Sequence, residues 1–97
     1  MLIVAGAFVV APDEREEFLA QRHDAMVATR SERGCLEYVL SADPVDPSRV
    51  ILFERWADQN AFDAHLAGLA SASRPDGPSP RSMSIEIYDI AATRAFG

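Results

Sequence analysis

The chain has 97 residues and the composition of an ordinary globular protein, with 48% hydrophobic and 25% charged residues, and its formal net charge is -6. Typical domains run to roughly 100–200 residues, so we predict one domain that spans residues 1–97. Phosphate backbones and anionic lipid headgroups repel an acidic chain that has no basic cluster, so neither nucleic acid nor a membrane is an expected partner.

The first predicted element is a buried strand over Leu2–Val10, a continuous apolar run rich in β-branched residues that ends before Pro12. The run has no basic segment before it and is too short to cross a bilayer, so neither a signal peptide nor a membrane anchor is expected. A helix is predicted next, over about 13–32, because acidic residues fill its first turn and apolar residues recur at helical spacing. Gly34 is typical of a helix C-terminus.

The middle of the chain predicts a β-hairpin. Its strands are Cys35–Ala42 and Arg49–Trp56, and the connecting DPVDPS contains two Asp-Pro pairs, which favour a turn. Cys35 is the only cysteine and cannot form an internal disulfide. Because this usage is typical of a reducing compartment, a cytoplasmic location is expected.

The last third of the chain predicts a second helix, a long loop and a fourth strand. Asp58 is a good N-cap for the helix. One helix face carries apolar side chains and a histidine at i, i+3, i+4 and i+7, namely Phe62, His65, Leu66 and Leu69. The Gly-, Ser- and Pro-rich residues 68–82 are predicted to form a long loop that is either a lid or disordered. A strand over Met83–Ala91 and a short tail, 92–97, complete the domain.

The element order β-α-β-β-α-β predicts an α+β, ferredoxin-like fold: a four-stranded antiparallel sheet with both helices on one face and strands one and three in the centre. The first strand is apolar on both faces. The sheet face without helices would therefore expose an apolar patch of roughly 400 Å², given the usual strand spacing and length. Patches of this size usually mark interfaces. We therefore predict a homodimer in which the two open sheet faces pack together.

Glu54 is unusual because it lies in the apolar third strand, where alternation places it on the same face as Trp56. A buried carboxyl must be paired, protonated or in contact with water in a pocket. One interpretation is an ion pair with an arginine such as Arg22 or Arg55. The other is a carboxylate that orients His65 or a substrate hydroxyl.

Two segments resemble a known family in their order and spacing. GCLEYVLSADPVDPSRV is similar to the GC-x-x-Y…DP hairpin, and FERWADQNAFDAH to the E-x-W…H strand-to-helix pattern, of the antibiotic biosynthesis monooxygenase (ABM) domain in the dimeric α+β barrel superfamily. The resemblance covers about residues 2–91. It implies a homodimer with a pocket between sheet and helices in each protomer, and cofactor-independent oxygenation of polycyclic phenols to quinones. It also carries over four pocket candidates: Tyr38, Glu54, Trp56 and His65.

The expected chemistry needs neither a cofactor nor a metal. The haem-degrading relatives of the family use an asparagine in strand one, which this strand lacks, so haem is not expected. His23 and His65 lie on different predicted helices and the chain has one cysteine, so no set of metal ligands is predicted. No glycine-rich phosphate loop occurs either.

The predicted site assigns catalysis to His65 and Glu54. Imidazole titrates near pH ~6.5, which suits a general base, although a histidine on an apolar helix face is about as often simply packed. Four aromatic residues are predicted to bind the substrate, although aromatic side chains also serve as core fillers: Tyr38, Trp56, Phe62 and Tyr88. The predicted function is a monooxygenase that acts on a small aromatic or enolisable substrate. The alternatives are a non-oxidative isomerase and a non-catalytic dimeric binding module.

Overall fold

The structure is a computed structural model that describes residues 1–97. Its strands are β1 (Leu2–Val9), β2 (Cys35–Ala42), β3 (Arg49–Trp56) and β4 (Ser82–Asp89), and its helices are α1 (Arg15–Ala20), α2 (His23–Thr29) and α3 (Gln59–Ser71). The strands form one antiparallel sheet in the order β2-β3-β1-β4, with β1 and β3 in the centre, which confirms the predicted ferredoxin-like α+β fold. Within one chain the sheet is open, and closure into a barrel would need a second copy.

One row of residues crosses the sheet on the face that carries the helices. In the antiparallel register, Val4 of β1 lies opposite Glu54 of β3 and Ile87 of β4. Tyr38 of β2 lies opposite Glu54 on its other side. Because side chains alternate between the two faces of a strand, all four point to the same side. The sheet thus brings a phenol, a carboxyl and two aliphatic side chains into one line.

The hydrophobic core lies between the sheet and the helices and has two parts. The larger part contains Leu2, Val4, Leu52, Trp56, Ala61 and Phe62. The smaller part contains Val10, Phe18 and Val50. Phe8 and Leu40 pack against the smaller part and also against the larger one. The two parts are therefore joined through partly buried side chains of β1 and β2.

The first predicted helix is wrong in extent. The chain forms a short 3-10 turn, Pro12–Glu14, and then α1 and α2, which are separated at Gln21 and Arg22. The backbone N–H of Arg22 donates to the Leu19 carbonyl, three residues back. The Phe18 carbonyl, four residues back, accepts instead from the Arg22 side chain, with Nη1 at 3.0 Å. A side-chain hydrogen bond of this kind leaves no trace in the apolar periodicity from which one long helix was predicted.

The predicted loop is shorter than expected, because α3 continues through Gly68 to Ser71. A glycine within a helix costs about 1 kcal/mol relative to alanine, which neighbouring alanines and leucines outweigh. The connecting segment, 72–81, contacts the end of α1. Gly77 there has a φ of 109°, and a Cβ on it would lie 3.1 Å from Gln21 Cγ. The segment therefore lies against α1 instead of extending away from the domain.

The sheet face opposite the helices, which we call the outer face, combines an apolar centre with a polar edge. Its centre consists of half-buried residues of β1 and β3, namely Ile3, Ala5, Ala7, Ile51 and Phe53. At the edge, Arg55 of β3 pairs with Glu37 of β2, with Nη2 and Oε1 3.3 Å apart. Separately, no helix in residues 1–97 is both long enough and apolar enough to cross a membrane.

Candidate active site

A cavity of about 450 Å³ lies between the sheet and α3, and we call it the reaction cavity. Its walls are mainly aliphatic and aromatic, with contributions from β1, β3, β4 and α3: Val4, Phe8, Leu52, Ile85, Ile87, Met83, Phe62, Leu66 and Leu69. Three polar side chains also line it, Tyr38, Glu54 and His65. This volume and this mixture of apolar walls with a few polar groups are typical of a small-molecule site.

Glu54 lies on the helix side of β3 and is buried, as the strand alternation requires. Its Oε1 accepts a hydrogen bond from Trp56 Nε1 at 2.8 Å. Burial raises the pKa of Glu54, and the Trp56 hydrogen bond and the charge of His65 oppose that rise only in part. The arginine pairing considered from sequence is not found, since Arg22 bonds the Phe18 carbonyl and Arg55 pairs with Glu37 on the outer face.

His65 is positioned by α3, whose N-cap is Asp58, as predicted: the carboxylate Oδ1 of Asp58 accepts from the Ala61 N–H at 2.7 Å. The buried imidazole contacts Glu32 through Nδ1, at 3.0 Å from Oε2 and 3.2 Å from Oε1. Its ring centroid lies 4.8 Å from that of Trp56. Because Nδ1 is engaged, Nε2 is the ring nitrogen left for a ligand.

Glu32 is the site residue that sequence analysis missed. It lies between α2 and β2, where the sequence showed only the expected end of a helix. Its partner is 33 positions away in the chain. No local pattern signals such a contact, because it depends on how α3 packs beside the turn that precedes β2. Gly34 shapes that turn with a φ of 80°, and a Cβ on it would lie 2.4 Å from the Ala61 Cβ of α3.

Trp56, predicted to offer a surface on which substrate stacks, does not line this cavity. Its side chain is 0% exposed and belongs to the core. The indole packs against Phe62, with ring centroids 6.1 Å apart, and against His65. A fully buried ring has no face to offer a ligand. Trp56 instead holds Glu54 by donating from its indole nitrogen.

The other predicted aromatic residues divide between the two sheet faces. Tyr38 and Phe62 line the reaction cavity. Burial, followed by the nearby Glu54 charge, raises the pKa of Tyr38 to about 12, so its hydroxyl stays a hydrogen-bond donor at neutral pH. Tyr88 lies opposite Ile3 and shares its face of the sheet, away from the reaction cavity. Tyr88, predicted to bind the substrate, therefore does not line this cavity.

The site can hold an apolar ring and exchange a proton with it. Four of its wall residues are exposed at the mouth in the single chain: Leu66, Leu69, Met83 and Ile87. Nowhere in residues 1–97 do three His, Cys, Asp or Glu side chains converge so as to hold a metal ion. The acid–base groups of the site are the imidazole of His65, the carboxyls of Glu32 and Glu54, and the phenol of Tyr38.

Residues 1–71 match the model of a protein family described as antibiotic biosynthesis monooxygenase. The chain belongs to this ABM family. The match includes Glu32, Tyr38, Glu54 and His65, and it ends before β4. The ABM assignment agrees with the resemblance of the hairpin and strand-to-helix segments.

This ABM chain is similar to several proteins over most of its length. It is 36% identical over 98 residues to the uncharacterised protein sll1783 of Synechocystis sp., a match that covers 98% of this chain and 67% of that protein. It is 28% identical over 65 residues to YcnE of Bacillus subtilis, provisionally named a monooxygenase, covering 67% of this chain and 68% of that protein. A crystal structure from Deinococcus radiodurans, provisionally described as an antibiotic biosynthesis monooxygenase, matches with a TM-score of 0.78 over 100% of both chains. At 23% identity this last likeness shows the shared fold.

Proposed function

We propose that this ABM protein is a cofactor-independent monooxygenase that oxidises a small aromatic or enolisable substrate in the reaction cavity. The observation that carries the proposal is the convergence of an imidazole, a carboxyl and a phenol on an otherwise apolar cavity of about 450 Å³. Apolar walls remove water from a bound ring, and the polar groups select its orientation. Membership of the ABM family supports the same reaction class.

The first step is removal of a proton from the phenol or enol hydroxyl of the substrate. Nε2 of His65 is the base, because Nδ1 is bound to Glu32. A carboxylate at Nδ1 holds that nitrogen protonated and stabilises the imidazolium that forms when Nε2 accepts a proton. Glu32 is therefore a positioning residue. Tyr38, as a neutral hydroxyl, donates a hydrogen bond to a second oxygen atom of the substrate, away from the hydroxyl that His65 deprotonates.

The second step is reaction of the electron-rich anion with molecular oxygen. Oxygen adds to a ring carbon, and the peroxide then loses water. The substrate's C–H and O–H bonds break, one oxygen atom becomes the new carbonyl, and the other leaves as water. Phenol plus O₂ thus gives quinone plus H₂O, and the substrate supplies all four electrons without an external reductant. Glu54, whose pKa is raised by burial, is suited to donate a proton or hydrogen bond to the developing oxyanion.

The test is oxygen uptake with a panel of naphthols and anthrones, corrected for their spontaneous oxidation, with ¹⁸O₂ to label the product. We expect one labelled oxygen atom per quinone. His65→Ala should reduce kcat by about 100-fold or more, the usual range for loss of a general base. Glu32→Gln should reduce kcat by a smaller factor and shift the pH profile. The matched control is His23→Ala, since His23 is a surface histidine with 71% of its side chain exposed.

The same assay separates the alternative functions. Product formation without oxygen uptake, with the same dependence on His65, would replace the oxygenase by an isomerase. Unchanged oxygen uptake in His65→Ala and Glu54→Gln would remove the proposed mechanism. Binding of the panel compounds without any turnover would indicate a non-catalytic binding module.

We further propose that two copies associate through their outer faces and that the dimer acts in the cytoplasm. The apolar centre of the outer face, which includes Phe53 and Ile51, would be buried by a second sheet. The small side chains of Ala5 and Ala7 leave a depression of about 380 Å³ there that partner side chains can fill. Cys35 is a free thiol, which suits a reducing compartment.

A further inference from the structure

A second, smaller cavity of about 200 Å³ adjoins the reaction cavity, and we call it the side pocket. The two share four lining residues, Phe8, Tyr38, Leu52 and Leu69, so they lie side by side. His65 and Glu54 line only the reaction cavity, and Arg22 lines only the side pocket. The combined chamber therefore has a proton-transfer end, a cationic end and Tyr38 in both parts. At about 30 Å³ per water molecule, the side pocket has room for a small polar substituent.

Arg22 is a cation without a carboxylate partner. Three other arginines form ion pairs, Arg33 with Asp58, Arg49 with Asp43 and Arg55 with Glu37. The side chain of Arg22 donates only one hydrogen bond within the chain, from Nη1 to the Phe18 carbonyl at 3.0 Å. A guanidinium group has five N–H donors, so others remain available.

The surroundings of Arg22 strengthen its attraction for an anion. Its guanidinium carbon lies 3.6 Å from the centroid of the Phe18 ring, which holds the group against an apolar surface. Burial lowers the pKa of Arg22, because part of its water shell is missing. Tyr38 lines the same pocket, and its pKa is raised to about 12, so its hydroxyl is neutral and can donate a hydrogen bond. Two hydrogen-bond donors, a guanidinium and a phenolic hydroxyl, therefore line the same small pocket.

The proton-transfer end has the opposite character. Glu32 contacts the buried His65, and Glu54 lines the cavity beside it. An anionic substituent placed there would face two carboxyl groups, whose negative charge disfavours it. A neutral substituent such as a hydroxyl is therefore favoured at this end. The chamber therefore discriminates between the two ends of an asymmetric ligand.

We propose that the substrate carries a carboxylate in addition to its phenol or enol, and that Arg22 and the Tyr38 hydroxyl bind this carboxylate in the side pocket. This inference rests on the proposed function for the identity of the reacting group, and it names the substrate class as an aromatic or enolisable acid. Binding of the carboxylate directs the hydroxyl toward His65. Arg22 is then a specificity-determining residue that sequence analysis considered only as an ion-pair partner for Glu54.

The experiment measures binding without turnover. The probes are 6-hydroxy-2-naphthoate, which has its two polar groups at opposite ends of the ring system, and its uncharged methyl ester. Calorimetric titrations are made under anaerobic conditions. We expect the acid to bind the wild-type protein at least about ten-fold more tightly than the ester, the difference typical of one charge-assisted hydrogen bond. Arg22→Leu should abolish this preference and leave the affinity for the ester unchanged.

Two further variants separate recognition from folding. Arg22→Lys keeps the positive charge and should retain part of the preference for the acid, while Tyr38→Phe should weaken acid binding several-fold. The matched control is Arg94→Leu, which removes one positive charge from the exposed C-terminal segment and should preserve the wild-type preference. Equal affinity of the wild type for acid and ester, binding of neither, or an unchanged preference in Arg22→Leu would overturn the inference.

The outcome is independent of whether the protein is an oxygenase. If Arg22→Leu loses the preference for the acid but the acid consumes no oxygen with the wild type, the carboxylate site stands and the proposed oxygenase fails. If acid and ester bind equally and both are oxidised, the proposed function stands and the carboxylate site fails.

Discussion

Two hydrogen bonds hold the carboxyl and the imidazole of the reaction cavity. Glu54 accepts from Trp56, two positions along the same strand, and His65 contacts Glu32 across 33 positions. Alternation along β3 predicts that Glu54 and Trp56 share a face, so the hydrogen bond between them could be predicted from the sequence. The hydrogen bond between His65 and Glu32 could not, because nothing local to Glu32 distinguishes it from other acidic residues near a helix end.

Glu54 gives the stability of the protein a pH dependence. Its pKa is raised above the ordinary value of 4.5 by burial. The folded chain therefore holds this proton more tightly than the unfolded chain, so the stabilising contribution of neutral Glu54 is present below pH 4.5 and is lost as the pH rises through the folded pKa. The side-chain amide of a Glu54→Gln variant cannot ionise. We therefore expect the variant to gain stability relative to the wild type between pH 4.5 and neutral pH.

Urea unfolding at several pH values measures this difference. Glu16→Gln, which removes one charge from an exposed position on α1, corrects for the loss of a negative charge from an acidic chain. For each variant, the quantity compared is its stability difference from the wild type as a function of pH. If this difference follows the same pH trend for Glu54→Gln as for Glu16→Gln, burial does not have the expected role.

At the scale of the secondary structure elements, strands were predicted better than helices. The bounds of β2 and β3 agree with the prediction, and β1 ends one residue earlier. Each strand is a short apolar or alternating run bounded by turn residues, a local pattern that neighbouring elements reinforce. The first predicted helix is interrupted where the Arg22 side chain donates a hydrogen bond to the Phe18 carbonyl. The second continues through Gly68, which was predicted to lie in a loop.

Two glycine substitutions should change stability in opposite directions. A Cβ on Gly6 of β1 would lie 2.0 Å from the Ser84 carbonyl oxygen of β4, and backbone atoms must move to accommodate it. Gly6→Ala should therefore lower the free energy of unfolding by about 3 kcal/mol or more. A Cβ on Gly68 of α3 would meet nothing within 4 Å. Gly68→Ala should raise the free energy of unfolding by about 1 kcal/mol, because alanine favours the helix.

Thermal and urea unfolding of the two variants test the pair directly, and each serves as the control for the other. Changes in the free energy of unfolding that are equal and of the same sign would mean that the spacing between β1 and β4 does not restrict the side chain at position 6.

At the scale of the whole molecule, the helices cover only one face of the sheet. The outer face has an apolar centre on β1 and β3, while β4 contributes Ser82, Ser84 and Glu86 to it. The sequence predicted an apolar second face from β1 alone, and the sheet order shows that its polar residues lie at both edges, on β2 and β4. The apolar centre is the part that a second copy would bury.

Phe53→Glu should convert a dimer to a monomer, because association would bury an unpaired charge in the centre of the outer face. Sedimentation velocity measures the change. Val45→Glu is the control, since Val45 is 90% exposed in the loop between β2 and β3 and lies outside this face. A wild-type protein that sediments as a single protomer at all concentrations would rule out the proposed interface.

The sequence by itself determined the strands, their alternation, the cap of α3 and the ferredoxin-like order, because these depend on residues that are neighbours in the chain. It also identified Glu54, His65, Tyr38 and Phe62 as side chains that come to one cavity. Only the tertiary structure decided that Glu32 holds His65, that Trp56 is buried beneath the cavity and that Tyr88 lies on the other face. It alone placed Arg22 at the far end of the chamber. These outcomes depend on how helices pack across the sheet, which brings together groups whose separation along the chain carries no local signal.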